Sequence, residues 1–141
     1  AERQIRSDRK AAIDTYEQVL SKTPDNFVVL NNLAYLAFED GELKRAEELA
    51  KKAVSLQREN ADAVDTLAQI YIAKGDKEAA LALYEQVSAG PIASDEVYLN
   101  HVDLLLALDK EALAKRRLAS REFSSEAAKQ RAENIKQQHG L

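Results

Sequence analysis

Residues 26–60 read NFVVLNNLAYLAFEDGELKRAEELAKKAVSLQREN, and the chain then repeats this pattern. Moved forward by 34 positions, Leu30, Leu33, Ala34, Ala37, Gly41, Ala46 and Ala50 fall on Val64, Leu67, Ala68, Tyr71, Gly75, Ala80 and Tyr84. Self-similarity at a fixed period of this size marks a stacked architecture, in which each copy covers the apolar face of its neighbour. The apolar positions recur at helical spacing on both sides of a glycine, so one copy is two helices joined by a tight turn. The expected fold is all-α: a right-handed solenoid of antiparallel helix pairs.

The register extends backwards and forwards from this stretch. Ala46, Ala50 and Ala53 step back onto Ala12, Tyr16 and Val19, one face of a helix expected over 8–22, with Asp8 or Ser7 as its N-cap and Pro24 closing it. Residues 1–6 then read as the end of a missing partner helix, and further repeats are expected upstream. Helices are expected over 27–39, 43–56, 61–74 and 77–88, broken at Gly41 and Gly75 and ended by Ala89-Gly90-Pro91. Asn26, Asn60 and Ser94 stand 34 apart and are all good N-caps, a signal independent of hydrophobicity. The third copy is degenerate. Tyr98, His101, Val102 and Leu105 keep its first-helix register, Asp109 replaces the turn glycine, and Arg121 enters the column of Ala53 and Val87. A charge in a core column announces the end of a stack, whose last element needs a polar outer face. Ser124-Ser125 then caps a final helix to about Gln138, with Ala128, Ala132 and Ile135 on one stripe. The chain thus divides into a truncated first repeat (1–26), full repeats at 27–60 and 61–94, a degenerate repeat (95–123), and a C-terminal capping helix and tail (124–141).

These residues resemble the tetratricopeptide repeat, whose period is 34 and whose motif is W-x2-L-G-x2-Y, then A-x3-F, then P. The chain offers Leu30-x2-Leu33-Ala34-x2-Ala37 with Ala46-x3-Ala50, and Val64-x2-Leu67-Ala68-x2-Tyr71 with Ala80-x3-Tyr84. Ala34 and Ala68 stand where the family has Gly, and Arg58 and Ile92 where its closing Pro would fall. The segment after Leu118 is also similar to the C-terminal ends of bacterial tetratricopeptide proteins of envelope and exopolysaccharide export. The resemblance implies a non-catalytic scaffold whose first helices line a concave groove for a peptide or helix of another protein.

Composition agrees with helix and narrows the chemistry. Apolar residues make up 45% and charged residues 31%, with four Gly, two Pro and no Cys, so disulfides and thiolate metal sites are out. No apolar run approaches the length of a membrane span. The absence of methionine reads as a piece of a longer protein, and the compartment stays open between cytoplasm and periplasm. Residues 1–109 carry 12 Lys/Arg against 20 Asp/Glu, whereas residues 110–141 carry 8 against 4. An acidic body argues against general nucleic-acid binding. No phosphate loop or nucleophile elbow appears, so no enzyme activity, cofactor or metal is expected. His101 falls in the Leu33/Leu67 column and reads as a buried histidine with one hydrogen-bond partner.

The inner face of each first helix is the candidate site. It carries Asn31, Asn32, Tyr35, Phe38 and Glu39, then Asp62, Asp65, Thr66, Gln69 and Ile72, then Glu96, Leu99, Asn100, Asp103 and Leu106. Five of these are acids and none is Lys or Arg, so a basic, amphipathic partner segment is expected. Carboxylate capture by successive lysines and arginines, known elsewhere in the family, is not. Asn32, Thr66 and Asn100 form a polar column that could hold an extended backbone. A secondary basic patch comprises Lys115, Arg116, Arg117 and Arg121. Two other readings remain at this point: repeats that only stack on an N-terminal part or dimerise through the truncated end, and an accessory domain of a larger enzyme.

Overall fold

The computed structural model describes residues 2–87 and 94–141, and the helix-ending stretch Ala89-Gly90-Pro91 lies outside them. The described residues form α1 (Glu2–Lys22), α2 (Phe27–Glu39), α3 (Leu43–Leu56), α4 (Ala61–Ala73), α5 (Lys77–Val87), α6 (Asp95–Ala107), α7 (Glu111–Ala119) and α8 (Glu126–His139). Helices α2 and α3, α4 and α5, and α6 and α7 pack as consecutive pairs. The pairs stack through α3 on α4 and α5 on α6, while α1 covers α2 and α8 covers α6. No helix among the described residues is long and apolar enough to cross a membrane.

Capping chemistry starts the first helix of each pair at the expected place. The side chains of Asn26, Asn60 and Ser94 accept from the N–H groups of Val29, Ala63 and Val97 at 3.1, 3.1 and 3.2 Å. Each satisfies one of the donors that a helix start leaves open. Ser125 does the same for α8 through Ala128 N–H. The turns inside the pairs share one geometry as well. Gly41 and Gly75 have φ of 79° and 89°, and Asp109 adopts the same left-handed conformation at 59°. The next N–H then reaches back five residues in all three, Glu42 to Ala37, Asp76 to Tyr71 and Lys110 to Leu105, at 2.8–2.9 Å. The turn is thus dictated by its hydrogen bonds, and Asp109 tolerates it as a short polar residue can.

The core lies in two connected clusters. One joins α1–α4 around Leu30, Leu33, Leu49 and Leu67, and the other joins α4–α8 around Tyr84, Val102 and Leu105. Ala34, Ala46, Ala68, Ala80 and Ala114 are fully buried where the helices meet, which explains why alanine can stand for the family's glycine.

The two ends depart from expectation. No break occurs at Ser7-Asp8. Helix α1 runs unbroken from Glu2, because nothing between Glu2 and Lys22 is a glycine or proline and the surrounding Arg, Lys, Ala and Gln favour helix. Ile13, Tyr16, Val19 and Leu20 are half-buried against the first cluster. At the other end α7 stops at Ala119, two residues short of Arg121, so that charge never enters the core. Arg121 instead pairs with Asp95 at 3.0 Å, and Asp95 also accepts from the N–H and hydroxyl of Ser124. These donors, chiefly the Ser124 N–H, hold the Asp95 carboxyl below its usual range and pin the α7–α8 connection to the start of α6.

Two stability outcomes follow from this packing. Leu67→Ala should cost about 2–5 kcal/mol in urea melts by leaving a cavity, whereas exposed Lys51→Ala should leave the midpoint unchanged. Asp109→Gly should stabilise by about 0.5–1 kcal/mol, since glycine meets no penalty at positive φ. Destabilisation there would show that the Asp109 side chain supports the turn in some other way.

Candidate partner-binding groove

The inner faces of α2, α4 and α6 are brought side by side, and α1 closes one flank. Between them lies a concave recess of about 520 Å³ lined by Ala12, Tyr16, Asn31, Asn32, Tyr35, Leu36, Asp62, Asp65, Thr66, Ser94, Glu96 and Val97. Seven of the expected site residues meet here: Asn31, Asn32, Tyr35, Asp62, Asp65, Thr66 and Glu96. Tyr35 is half exposed at its wall. Three carboxylates line the recess, and among the described residues no lysine or arginine does. Asp65 sits deepest, accepting from Tyr84 Oη at 2.6 Å and Asn100 Nδ2 at 3.0 Å. Burial raises its carboxyl above the ordinary value, partly opposed by those donors.

A smaller recess of about 220 Å³ gathers Gln69, Ile72, Asn100 and Asp103 together with Lys77, Leu104 and Ala107. Its charge is internally balanced. Arg131 of α8 reaches Asp103 at 2.6 Å and the Asn100 carbonyl oxygen at 2.8 Å. At the opposite end, Arg9 of α1 binds Glu39, Asp40 and the Leu36 carbonyl at 2.8–3.1 Å. The proximity of Glu39 is also the main reason the Tyr35 phenol is pushed up. Two of the five expected acids are therefore matched from within the chain, and the open negative charge is concentrated in the middle.

Family comparisons fit this arrangement. Two tetratricopeptide-repeat family models match, over residues 37–90 and 15–48, and together they span just over half of the chain. The chain belongs to the tetratricopeptide-repeat family. Tetratricopeptide repeat protein 21A of Mus musculus is 49% identical over 53 residues, which is 36% of this chain and 4% of that protein. The chain therefore spans a small fraction of that relative's length. Among solved structures, MamA superposes with a TM-score of 0.69 at 22% identity, covering 84% of this chain and 69% of its own. YrrB, a tetratricopeptide-repeat protein with an unusual peptide-binding site, gives 0.66 at 20% identity, covering 74% and 54%. At such identities the likeness is one of fold, and the tetratricopeptide fold is a protein-interaction scaffold.

Several expected groove residues are placed elsewhere by this tetratricopeptide-repeat structure. Leu99 and Leu106 are core residues, 1% and 8% exposed, in the cluster that includes Ala128, Ala132 and Ile135 of α8. Helix α8 occupies the position of a further first helix, packing on α6 as α4 packs on α2. Phe38 is half-buried against the first cluster and Ile72 against the second. The Asn32/Thr66/Asn100 column is not a free ladder either. The Thr66 hydroxyl donates back to the Asp62 carbonyl at 3.0 Å, and Asn100 is held between Asp65 and Arg131. Among the described residues Asn32 reaches Tyr16 Oη, at 3.4 Å. Tyr16 itself was legible as a groove residue, because it lies in the column of Ala50 and Tyr84, and Tyr84 reaches Asp65 in the same recess.

The basic patch divides in two. The guanidinium groups of Arg117 and Arg121 lie 4.4 and 4.8 Å from the Tyr98 ring centroid, a cation–π arrangement internal to the fold. Lys115 and Arg116 remain exposed.

His101 is buried as expected, at 4% exposure, and stacks on Tyr84 at 5.4 Å. It lacks the expected partner: neither ring nitrogen has a hydrogen bond among the described residues. The column was filled by leucine in the earlier copies, so the packing around it brings no group within hydrogen-bonding reach of the ring among the described residues. Burial, helped by nearby Arg117, lowers its pKa from 6.5 to about 4. Between those values the unfolded chain holds a proton that the folded chain does not. Stability should therefore fall as pH drops from about 6.5 towards 4, by up to about 3 kcal/mol. His101→Leu should remove this loss, measured as the difference between the two proteins' pH profiles in urea melts. Parallel profiles would mean the imidazole is solvated or paired in solution.

Proposed function

We propose that this chain is a non-catalytic interaction module whose concave face takes a basic, amphipathic segment of a partner protein. The observation that supports this reading best is the central recess, where Asp62, Asp65 and Glu96 face a space that no cation lines among the described residues. Exposed Tyr35 beside them supplies a rigid apolar surface, the kind of residue that anchors protein interfaces. Arg9 and Arg131 act as internal counterparts of the proposed ligand, each already seated against groove carboxylates. The peptide-binding site of the structurally similar YrrB lends the reading general support. The envelope-like C-terminal end makes the bacterial periplasm one setting for this function, with the cytoplasm as the other.

Charge in such a groove acts on association rate and selectivity, whereas Tyr35 and its apolar surroundings provide the salt-resistant part of binding. Partners should first be captured from the source organism and mapped to their binding segment. Affinity for that segment should then fall with added salt, and Tyr35→Ala should weaken it about ten-fold at high salt. Asp62→Asn with Glu96→Gln should flatten the salt dependence. If every partner survives these changes but is lost from Lys115→Ala with Arg116→Ala, the basic end is the interaction site and the groove is not.

A further inference from the structure

A second recess lies away from the groove, between α5, α6 and α7. It measures about 320 Å³, at the small end of the roughly 300–1,000 Å³ typical of ligand pockets. Its walls are Glu85, His101, Leu105, Leu113, Arg116, Arg117 and Ser120. Two of these carry buried polar atoms without a hydrogen bond among the described residues, both nitrogens of His101 and Nε of Arg117. A neutral imidazole has one N–H and one lone pair, and Nε of arginine is a donor. Leaving such groups buried and unmet is unfavourable, and native structures rarely do so without a reason.

The fold does not require polar residues there. Thirty-four residues earlier, the equivalents of His101, Leu105, Leu113 and Arg117 are Leu67, Tyr71, Ala79 and Leu83. The earlier pair thus builds the same wall with Leu67 at 3% exposure and Leu83 half-buried. In the third pair two of these side chains become hydrogen-bond donors, and exposed Arg116 joins them at the rim. Donors outnumber acceptors, two arginines face one carboxylate, and Leu105 and Leu113 provide an apolar surface.

We propose that this recess binds a carboxylate carried on a small apolar body. Arg116 and the Nε of Arg117 hold the carboxylate, the His101 N–H turns onto it, and the body lies against Leu105 and Leu113. The carboxylate belongs either to a free organic acid or to the end of a polypeptide, since both present the same group.

The test is a titration of the full ¹⁵N-labelled chain with phenylacetate, read at its two imidazoles. His101 ring signals should shift to saturation while those of His139, on α8, stay still. Phenylacetamide, of the same shape but uncharged, should bind at least about five-fold more weakly, about 1 kcal/mol. Arg116→Gln, at an exposed position, should weaken phenylacetate by a similar factor. His101→Leu restores the residue of the earlier pairs, and should fold by circular dichroism yet lose the response at the Leu105 and Leu113 backbone amides. A short peptide ending in a free leucine carboxylate, compared with its amide, assigns the source. Binding of the free-acid peptide alone points to a polypeptide end, and binding of phenylacetate points to a small acid. No saturable shift with either probe, equal response to phenylacetamide, or undiminished binding in both variants would overturn the proposal.

Discussion

Close approach of helices at fully buried alanines is the constraint on which the rest of the structure depends. Ala34, Ala46, Ala68, Ala80 and Ala114 have no exposed surface, and the small side chain at each lets two helices pack closely. With the pairs so close, a short left-handed turn suffices to join them, and the same turn recurs at Gly41, Gly75 and Asp109. Stacking then places the first helices side by side with their inner faces aligned. The concave recess is a consequence of that alignment. Its chemistry, in contrast, is unconstrained by packing and is free to be acidic.

The flanking helices decide how much of that face remains open. Arg9 on α1 neutralises Glu39 at one end, and Arg131 on α8 neutralises Asp103 at the other. Both come from helices packed against the outer pairs, α1 on α2 and α8 on α6, and they leave the negative field focused on Asp62, Asp65 and Glu96. A long acidic strip thus becomes a compact one.

The fold was legible because period, caps and glycines agree with one another. Asn26, Asn60 and Ser94 started helices where the hydrophobic columns said they should, and Asp109 kept the turn although its identity had changed. The ends were less legible. At Ser7-Asp8 a capping residue was available, but without a glycine or proline nearby the helix simply continued. In the groove, the 34-residue register found seven of the twelve residues that line the central recess but misplaced Leu99 and Leu106. A helical wheel assigns faces within one helix, and it cannot see that α8 returns to cover α6. For the same reason the sequence count of groove charges omitted Arg9 and Arg131, which arrive from other helices.

A repeat protein also contains its own comparison, and this gives unequal weight to agreement and departure. Where successive copies keep a column, as with Ala46, Ala80 and Ala114, packing alone explains the residue. Where a copy departs and the change is met by a partner, as when Arg121 finds Asp95 and the Tyr98 ring, the departure serves a contact within the fold. His101 and the Nε of Arg117 depart in the same copy and find no hydrogen-bonding partner among the described residues. A leucine in each place would satisfy the fold, as Leu67 and Leu83 do one copy earlier. Polar atoms that packing does not ask for and that no neighbour satisfies point outward, to a group the folded chain does not itself contain.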